Sequence, residues 1–254
     1  MRKFAIANQK GGSGKTTTSV NLAAALGELE RRVLVIDLDP QHSATAWLGF
    51  RDSGKGLYGL FVDNGDFREI IKPTGVPGVD LAPSSAWLVG VERILAGEVG
   101  AEQILRHNLA KLPAGAWDYI LMDCPPTLGI LTINALAAAE ELLVPVEAHV
   151  MALSGLAQLL HTVGVVRARI NADLRVSGIL ACRVDSRTRH AREVVEQLRE
   201  HHGDLVYETV IRENIRLAEC PSFAQPITQY DPKSSGAADY RALAREIIAQ
   251  EKNR

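Results

Sequence analysis

Short apolar runs alternate along this chain with longer segments of helical period. Lys3–Asn8 (KFAIAN), Arg32–Asp37 (RVLVID) and Trp117–Asp123 (WDYILMD) read as strands. Glu141–Val146 (ELLVPV), Leu174–Cys182 and Leu205–Ile211 continue the series. Val20, Leu22, Ala23, Leu26 and Leu29 give Thr16–Leu29 a helical period, and further helices are predicted near 84–96, 99–111, 128–139, 152–171, 189–202 and 235–250. Strands that alternate with helices of this length build βαβ units and a mostly parallel sheet. Continuous apolar runs, such as the VLVI of VLVID, fit a sheet covered on both faces. The Gly/Pro-rich stretch 72–78 (KPTGVPG) reads as a loop inside a domain. No repeat or linker interrupts the pattern, so the prediction is one doubly wound α/β domain over residues 1–254, with helices on both faces.

Composition narrows the function classes. With 46% hydrophobic and 23% charged residues, the chain has the make-up of a globular protein with a substantial core. Three scattered cysteines, Cys124, Cys182 and Cys220, give neither a disulfide framework nor the CxxC spacing of a zinc or iron–sulfur site. No apolar run reaches the roughly 20 residues of a membrane span, and a polar segment follows the first strand too soon for a signal peptide. A cytoplasmic location is expected. The net charge of −2 gives no global sign of nucleic-acid binding, so any such activity must come from a local patch.

The strongest chemical signal is QKGGSGKTTT, starting at Gln9, between a strand and a helix. That is the setting of a phosphate-binding loop. Gly11, Gly12 and Gly14, with Ser13 between them, let backbone N–H groups approach phosphate oxygens, and the helix N-terminus adds a positive dipole end. Lys15 is placed for the β- and γ-phosphates, Thr16 for Mg²⁺ and Thr17 for the α-phosphate. Carboxylates then cluster at strand ends: Asp37 and Asp39 in VLVIDLDPQ, and Asp123 in YILMDCPP. Strand carboxyl ends are where open α/β sheets bind ligands. Cys124 reads as a small packing residue, because no histidine is placed beside it.

The first glycine of the usual GxxxxGK[ST] pattern is replaced by Gln9, and a second lysine stands at Lys10. This KGGxGKTT form resembles the deviant-loop ATPases of the ParA/MinD group. The segments VPVEAHVMALSGLAQLL (144–160), ENIRLAECPSF (213–223) and YDPKSSGA (230–237) are similar to ParA/Soj partition ATPases in particular, and the resemblance covers almost the whole chain. It implies ATP and Mg²⁺ as cofactors. Catalytic roles fall on Lys10, Lys15 and Asp39, with Asp39 orienting the attacking water and Lys10 reaching across a dimer interface to the partner's ATP. Thr16, Asp37 and Asp123 are implied as the metal site, and the adenine is expected near 183–185 and 211–214. The family's partners are implied too: an ATP-dependent homodimer, non-specific double-stranded DNA and a ParB-like centromere-binding protein, with no membrane. The chain begins two residues before its first strand, so the helix-turn-helix extension of larger plasmid ParA proteins is not expected.

Residues 167–192 hold seven arginines against two aspartates, a local basic excess in an acidic chain. That clustering suits phosphate-backbone binding with strong salt dependence. By resemblance, Arg187 and Arg216 contact DNA, with Arg189 and Lys233 as further candidates and the nucleoid as the expected site of action. A solvated basic face paired with Glu193, Glu196 and Glu200 is the other reading of the same residues. Four alternatives remain in view. MinD-like membrane positioning would need a basic amphipathic C-terminal helix, whereas YRALAREIIAQEKNR reads better as a core-packing helix. Positioning of another cargo would use the same machinery. A reductase of the nitrogenase iron-protein kind lacks its second cysteine motif, and a non-hydrolysing DNA scaffold is opposed by Lys10, Lys15 and Asp39.

Overall fold

A computed structural model describes residues 1–51, 54–148, 152–185 and 187–253. Part of the segment 144–160 and Ser186 of the DSRTRH run therefore lie outside the described residues. Seven strands form one sheet: β1 (Arg2–Ile6), β2 (Val33–Asp37), β3 (Lys72–Pro73), β4 (Val79–Ala82), β5 (Tyr119–Asp123), β6 (Glu141–Glu147) and β7 (Arg175–Cys182). Their order is β3-β4-β2-β5-β1-β6-β7. Every pairing is parallel except the antiparallel β3–β4 contact at the edge. The predicted doubly wound, mostly parallel fold is what the chain adopts.

Alternation along each strand explains why these runs are apolar throughout. Phe4, Ile6, Val33 and Val35 enter one core layer, beneath the helices Lys15–Glu28 and Ser235–Ala249. Ala5, Leu34 and Ile36 enter the other, with the helices Ile130–Ala138 and Ala152–Arg169. Successive side chains of a strand point to opposite faces, so a strand buried on both sides needs apolar residues at consecutive positions. Tyr240, Leu243 and Ile247 of the C-terminal helix are buried in the first of these layers, as the core-packing reading expected.

Register fixes the functional edge. Asp123 of β5 pairs with Asp37 of β2 on one side and with Ile6 of β1 on the other. The phosphate loop leaves β1 at that same level. Outward from the centre, β2, β4 and β3 extend one way, and β6 and β7 the other, so the crevice opens at the carboxyl ends of central strands.

Three local expectations fail, each for a visible reason. Leu205–Ile211 is not a strand. Tyr207 and Ile211 donate to the carbonyls of Ile179 and Ala181, but the intervening N–H groups of Glu208 and Thr209 go to the Glu246 carboxylate at 2.8 and 3.0 Å. A side chain of the C-terminal helix thus replaces a ladder. The helices predicted near 84–96 and 99–111 are each a 3₁₀ turn followed by a short α segment, Val91–Ile94 and Ile104–Leu109. In the second, Asn134 takes the Leu105 N–H and donates to the Ala101 carbonyl, substituting for helical bonds at the junction. Finally, the stretch 72–78 is not all loop: Lys72 and Pro73 form β3 against β4, a pairing of two residues with a four-residue strand interrupted by Asp80, too short to carry a strand pattern.

At the opposite edge, Arg2 is almost fully buried and doubly bonded to Glu141 (2.8 and 2.7 Å). It also donates to the Ile247 carbonyl and lies 4.7 Å from the Phe4 ring centre. This ties the C-terminal helix to the sheet. Removing one member of a buried pair leaves the other charge uncompensated. Glu141→Ala is expected to lower unfolding stability by about 3–5 kcal/mol, while the double change Arg2→Met with Glu141→Leu recovers most of the loss. Urea titration of the three proteins checks this.

Candidate functional site

The loop between β1 and the helix Lys15–Glu28 is anchored before it turns. Asn8 donates to the Pro145 carbonyl of β6 at 2.7 Å and accepts from the Lys10 N–H at 3.0 Å. Gly12 and Gly14 have φ of 73° and 94°, the region where a side chain is strained. Lys15 opens the helix, is almost wholly buried, and folds back to donate to the Lys10 carbonyl at 3.2 Å. Burial lowers its pKa, against the opposing pull of Asp123 and other nearby acids. The Ser13 hydroxyl is buried without a hydrogen-bond partner.

Two carboxylates stand side by side beneath the loop, and their environments differ. Asp37 Oδ2 accepts from both the N–H and the hydroxyl of Thr45 at 2.7 Å, and Oδ1 from the Asp39 N–H at 3.2 Å. Asp37 thereby holds the 39–45 turn. Asp123 Oδ1 accepts from the Ser19 hydroxyl at 3.0 Å, but Oδ2 is buried with no partner. Burial pushes Asp123 up to about 8, with the Asp37 charge adding to it. Burial likewise raises Asp37 to about 6, and the hydrogen bonds from Thr45 limit the rise. Of the expected metal residues, then, Asp123 has an oxygen to offer, while both oxygens of Asp37 are engaged by the turn. Asp39 lines the cleft, and its turn is stitched to the end of β4 by the Ser84 hydroxyl, which donates to the Asp39 carbonyl at 2.6 Å.

These groups border a cleft of about 640 Å³. Gly11, Gly12, Gly14, Lys15, Thr16 and Thr17 form one wall. Residues 211–215 and Leu217, with Cys182, Arg183 and Tyr240, form the other, on the side where the resemblance puts the base. Lys10 stands at the rim, its ammonium 2.7 Å from Glu147 Oε2. Cys124 is buried and its thiol is driven up by burial, consistent with a packing role.

The residues expected to contact DNA are exposed, and the three arginines among them are already paired. Arg187 bonds Asp185 at 2.8 Å, Arg189 bonds Glu193 at 2.6 Å, and Arg216 bonds Glu219 at 2.9 Å. Lys233 is exposed on the loop before the C-terminal helix. The segments carrying Arg187 and Arg216 are joined by two backbone bonds, Val184 N–H to Ile211 and Glu213 N–H to Val184, both 3.1 Å. The basic residues thus flank the cleft on its β7 side. The sequence reading missed Glu147, Ser19 and Ser84, which contact motif residues and carry no motif of their own.

A family model described as an AAA domain matches residues 1–176. The sporulation initiation inhibitor protein Soj of Bacillus subtilis is 45% identical over 248 residues, covering 97% of this chain and 98% of that protein. The chromosome-partitioning ATPase Soj of Thermus thermophilus is 48% identical over 250 residues, covering 98% of this chain and 96% of that protein. The chain belongs to the ParA/Soj family of partition ATPases. Solved structures agree on the fold. Cobyrinic acid a,c-diamide synthase from Mycobacterium smegmatis, with bound ADP and magnesium, matches with a TM-score of 0.87 and 34% identity over 99% of this chain and 96% of that one. The cell division ATPase MinD of Pyrococcus furiosus matches with a TM-score of 0.81 and 25% identity, over 98% and 99% of the two chains.

The raised carboxylates make a stability prediction for this ParA/Soj protein free of metal and nucleotide. Between the ordinary carboxylate value of 3.8 and the raised values of about 6 and about 8, the folded chain keeps protons that the unfolded chain has lost. Stability contributed by this pair therefore falls as pH rises through that window and levels off above it. The melting temperature of Asp123→Asn relative to the parent is expected to climb from pH 5 to pH 8.5. A flat difference across that range would show that Asp123 ionises normally.

Proposed function

We propose that this chain is an ATP-driven partition switch. It binds ATP with Mg²⁺, closes into a nucleotide-sandwich homodimer and then binds double-stranded DNA without sequence preference. A ParB-like centromere-binding protein resets it by stimulating hydrolysis, and repeated cycles segregate or position chromosome or plasmid DNA over the nucleoid in the cytoplasm. The observation that carries this reading is the two-lysine loop. Lys15 folds inward over its own loop, whereas Lys10 stands at the rim of the cleft with a partly exposed ammonium.

The residues fit the nucleotide and its ion. Two buried oxygens, Asp123 Oδ2 and Ser13 Oγ, lack partners beside a cleft of nucleotide size. Backbone N–H groups of Gly11, Gly12, Ser13 and Gly14 cradle the phosphates, with Lys15 bridging to the terminal ones and Thr17 to the first. Thr16 and Asp123 hold the ion, and Asp37 supports them from behind by fixing the turn. When bound, Mg²⁺ neutralises phosphate charge and fixes its geometry. Asp39, at the cleft on that same turn, orients the attacking water. The arginines lining the cleft, Arg183 and Arg212, are each tied to an acid, Glu147 and Asp239. Each must give up that acid before it can meet developing charge, so turnover is slow until a partner acts.

Each guanidinium offered to DNA must leave an intramolecular acid, so one protomer binds DNA weakly. Two copies held rigidly gain by effective concentration. No helix among the described residues is long and apolar enough to cross a membrane, and the C-terminal helix buries its apolar side.

The test is fluorescence anisotropy of a random-sequence duplex with ATP, ADP or no nucleotide. Binding is expected with ATP alone and is expected to be lost in Lys10→Ala. Arg216→Ala is expected to weaken binding and to reduce the salt dependence by about two units of log–log slope, one per protomer. Absence of DNA binding in a protein that demonstrably holds ATP would overturn the partition reading.

A further inference from the structure

Lys10 is held by its own chain. Glu147, the last residue of β6, places Oε2 2.7 Å from the Lys10 ammonium and Oε1 3.2 Å from the Arg183 guanidinium. The arrangement follows from strand order. β6 lies between β1, whose loop carries Lys10, and β7, where Glu147 pairs with Cys182 and Arg183 comes next. Asn8 secures the loop to β6 through the Pro145 carbonyl. Arg183 has φ of 54°, a left-handed conformation that bulky residues rarely adopt, and the Val184 N–H bonded to Ile211 helps to hold it there. One carboxylate is thus shared by two cations at the rim of the cleft.

We propose that Glu147 is a positioning residue that retains Lys10 on its own protomer until nucleotide and a second copy draw it away, and that Arg183 sets the strength of this hold. The inference rests on the reading that Lys10 acts across a dimer. A single ammonium cannot serve Glu147 and a phosphate on the partner at once, so the two sites compete. Arg183 eases the exchange in two ways. It divides the carboxylate's attraction while Lys10 is bound, and it neutralises Glu147 after Lys10 departs. The side chains of Lys10 and Glu147 are 37% and 24% exposed, so the pair is neither deeply buried nor fully solvated. Pairs of this kind shift equilibria by roughly two- to fivefold, strong enough to bias the lysine and weak enough to reverse.

The experiment reads Lys10 directly in the full-length protein without nucleotide. The rate of its acetylation by an N-hydroxysuccinimide ester is followed by mass spectrometry, since an ion-paired ammonium is a poor nucleophile. Glu147→Gln is expected to raise that rate roughly two- to fivefold, and Arg183→Met to lower it. In the Glu147→Gln background, Arg183→Met is expected to have no further effect, which separates action through Glu147 from direct repulsion between the cations. Unchanged far-ultraviolet circular dichroism and melting temperature in each variant confirm folding, and ATP affinity measured separately in each corrects the sedimentation midpoint for any direct effect of Arg183 on the nucleotide. Sedimentation against ATP concentration then reads dimerisation, with the midpoint expected to fall in Glu147→Gln and to rise in Arg183→Met. Unchanged Lys10 reactivity in Glu147→Gln would overturn the proposal. The expected reactivity pattern in proteins that never dimerise with ATP would leave the hold on Lys10 standing and would remove the dimer reading instead.

Discussion

Asp37 and Asp123 end adjacent parallel strands in matched register, both fully buried. Burying two carboxylates side by side is unfavourable unless donors or cations compensate them. The chain compensates one completely: Asp37 takes three donors and in doing so fixes the 39–45 turn that presents Asp39. It leaves the other incomplete, with Ser19 on one oxygen of Asp123 and nothing on the second. The asymmetry gives the two acids different environments, one engaged in shaping backbone and one with an oxygen left without a hydrogen bond.

The cations above them follow the same economy. Lys15 lies over the loop on the Lys10 carbonyl, Lys10 on Glu147, and Arg183 on the other oxygen of Glu147. Every one of these donors is satisfied within the chain by an oxygen that a polyphosphate could replace. Binding is therefore an exchange of partners, and the positive charge is already gathered where phosphate charge arrives. Preformed loop geometry limits the conformational cost of that exchange, because Asn8 and the glycine conformations set the cradle beforehand.

The central strands and the phosphate loop were legible because their signals are local. Short uninterrupted apolar runs such as VLVI and YILM define a doubly covered strand, and the loop's glycines and lysines sit next to one another in sequence. Asp37, Asp39 and Asp123 could be placed at the carboxyl edge because strand ends are easily recognised. What escaped depends on distant partners. No property of residues 205–211 indicates that Glu246 will take two of their N–H groups. Nor does an Asn at position 134 announce that it will end a helical junction 29 residues earlier. Glu147 falls one residue beyond the run that reads as a strand, and its meaning depends on β6 lying between β1 and β7. The resemblance puts Asp37 in the metal site, and the geometry adds what no motif states, that its oxygens are engaged by Thr45 and the Asp39 N–H.

The basic face obeys the rule that governs the cleft. Arg187, Arg189 and Arg216 each rest on an acid close in sequence, at 2.8, 2.6 and 2.9 Å. Exposed pairs of this type contribute about 0.2–1 kcal/mol, so each is easily exchanged for a DNA phosphate and gains little by the exchange. A surface of such residues discriminates poorly between binding and release when presented once. Presented twice in fixed relation, the small gains add while the entropic cost of association is met only once. The segments that carry Arg187 and Arg216 also wall the nucleotide cleft and are bonded to each other through Val184, Ile211 and Glu213. In the proposed switch, a change in how the cleft closes would reach both arginines through backbone rather than through flexible side chains, which is the mechanical condition for nucleotide state to control DNA affinity.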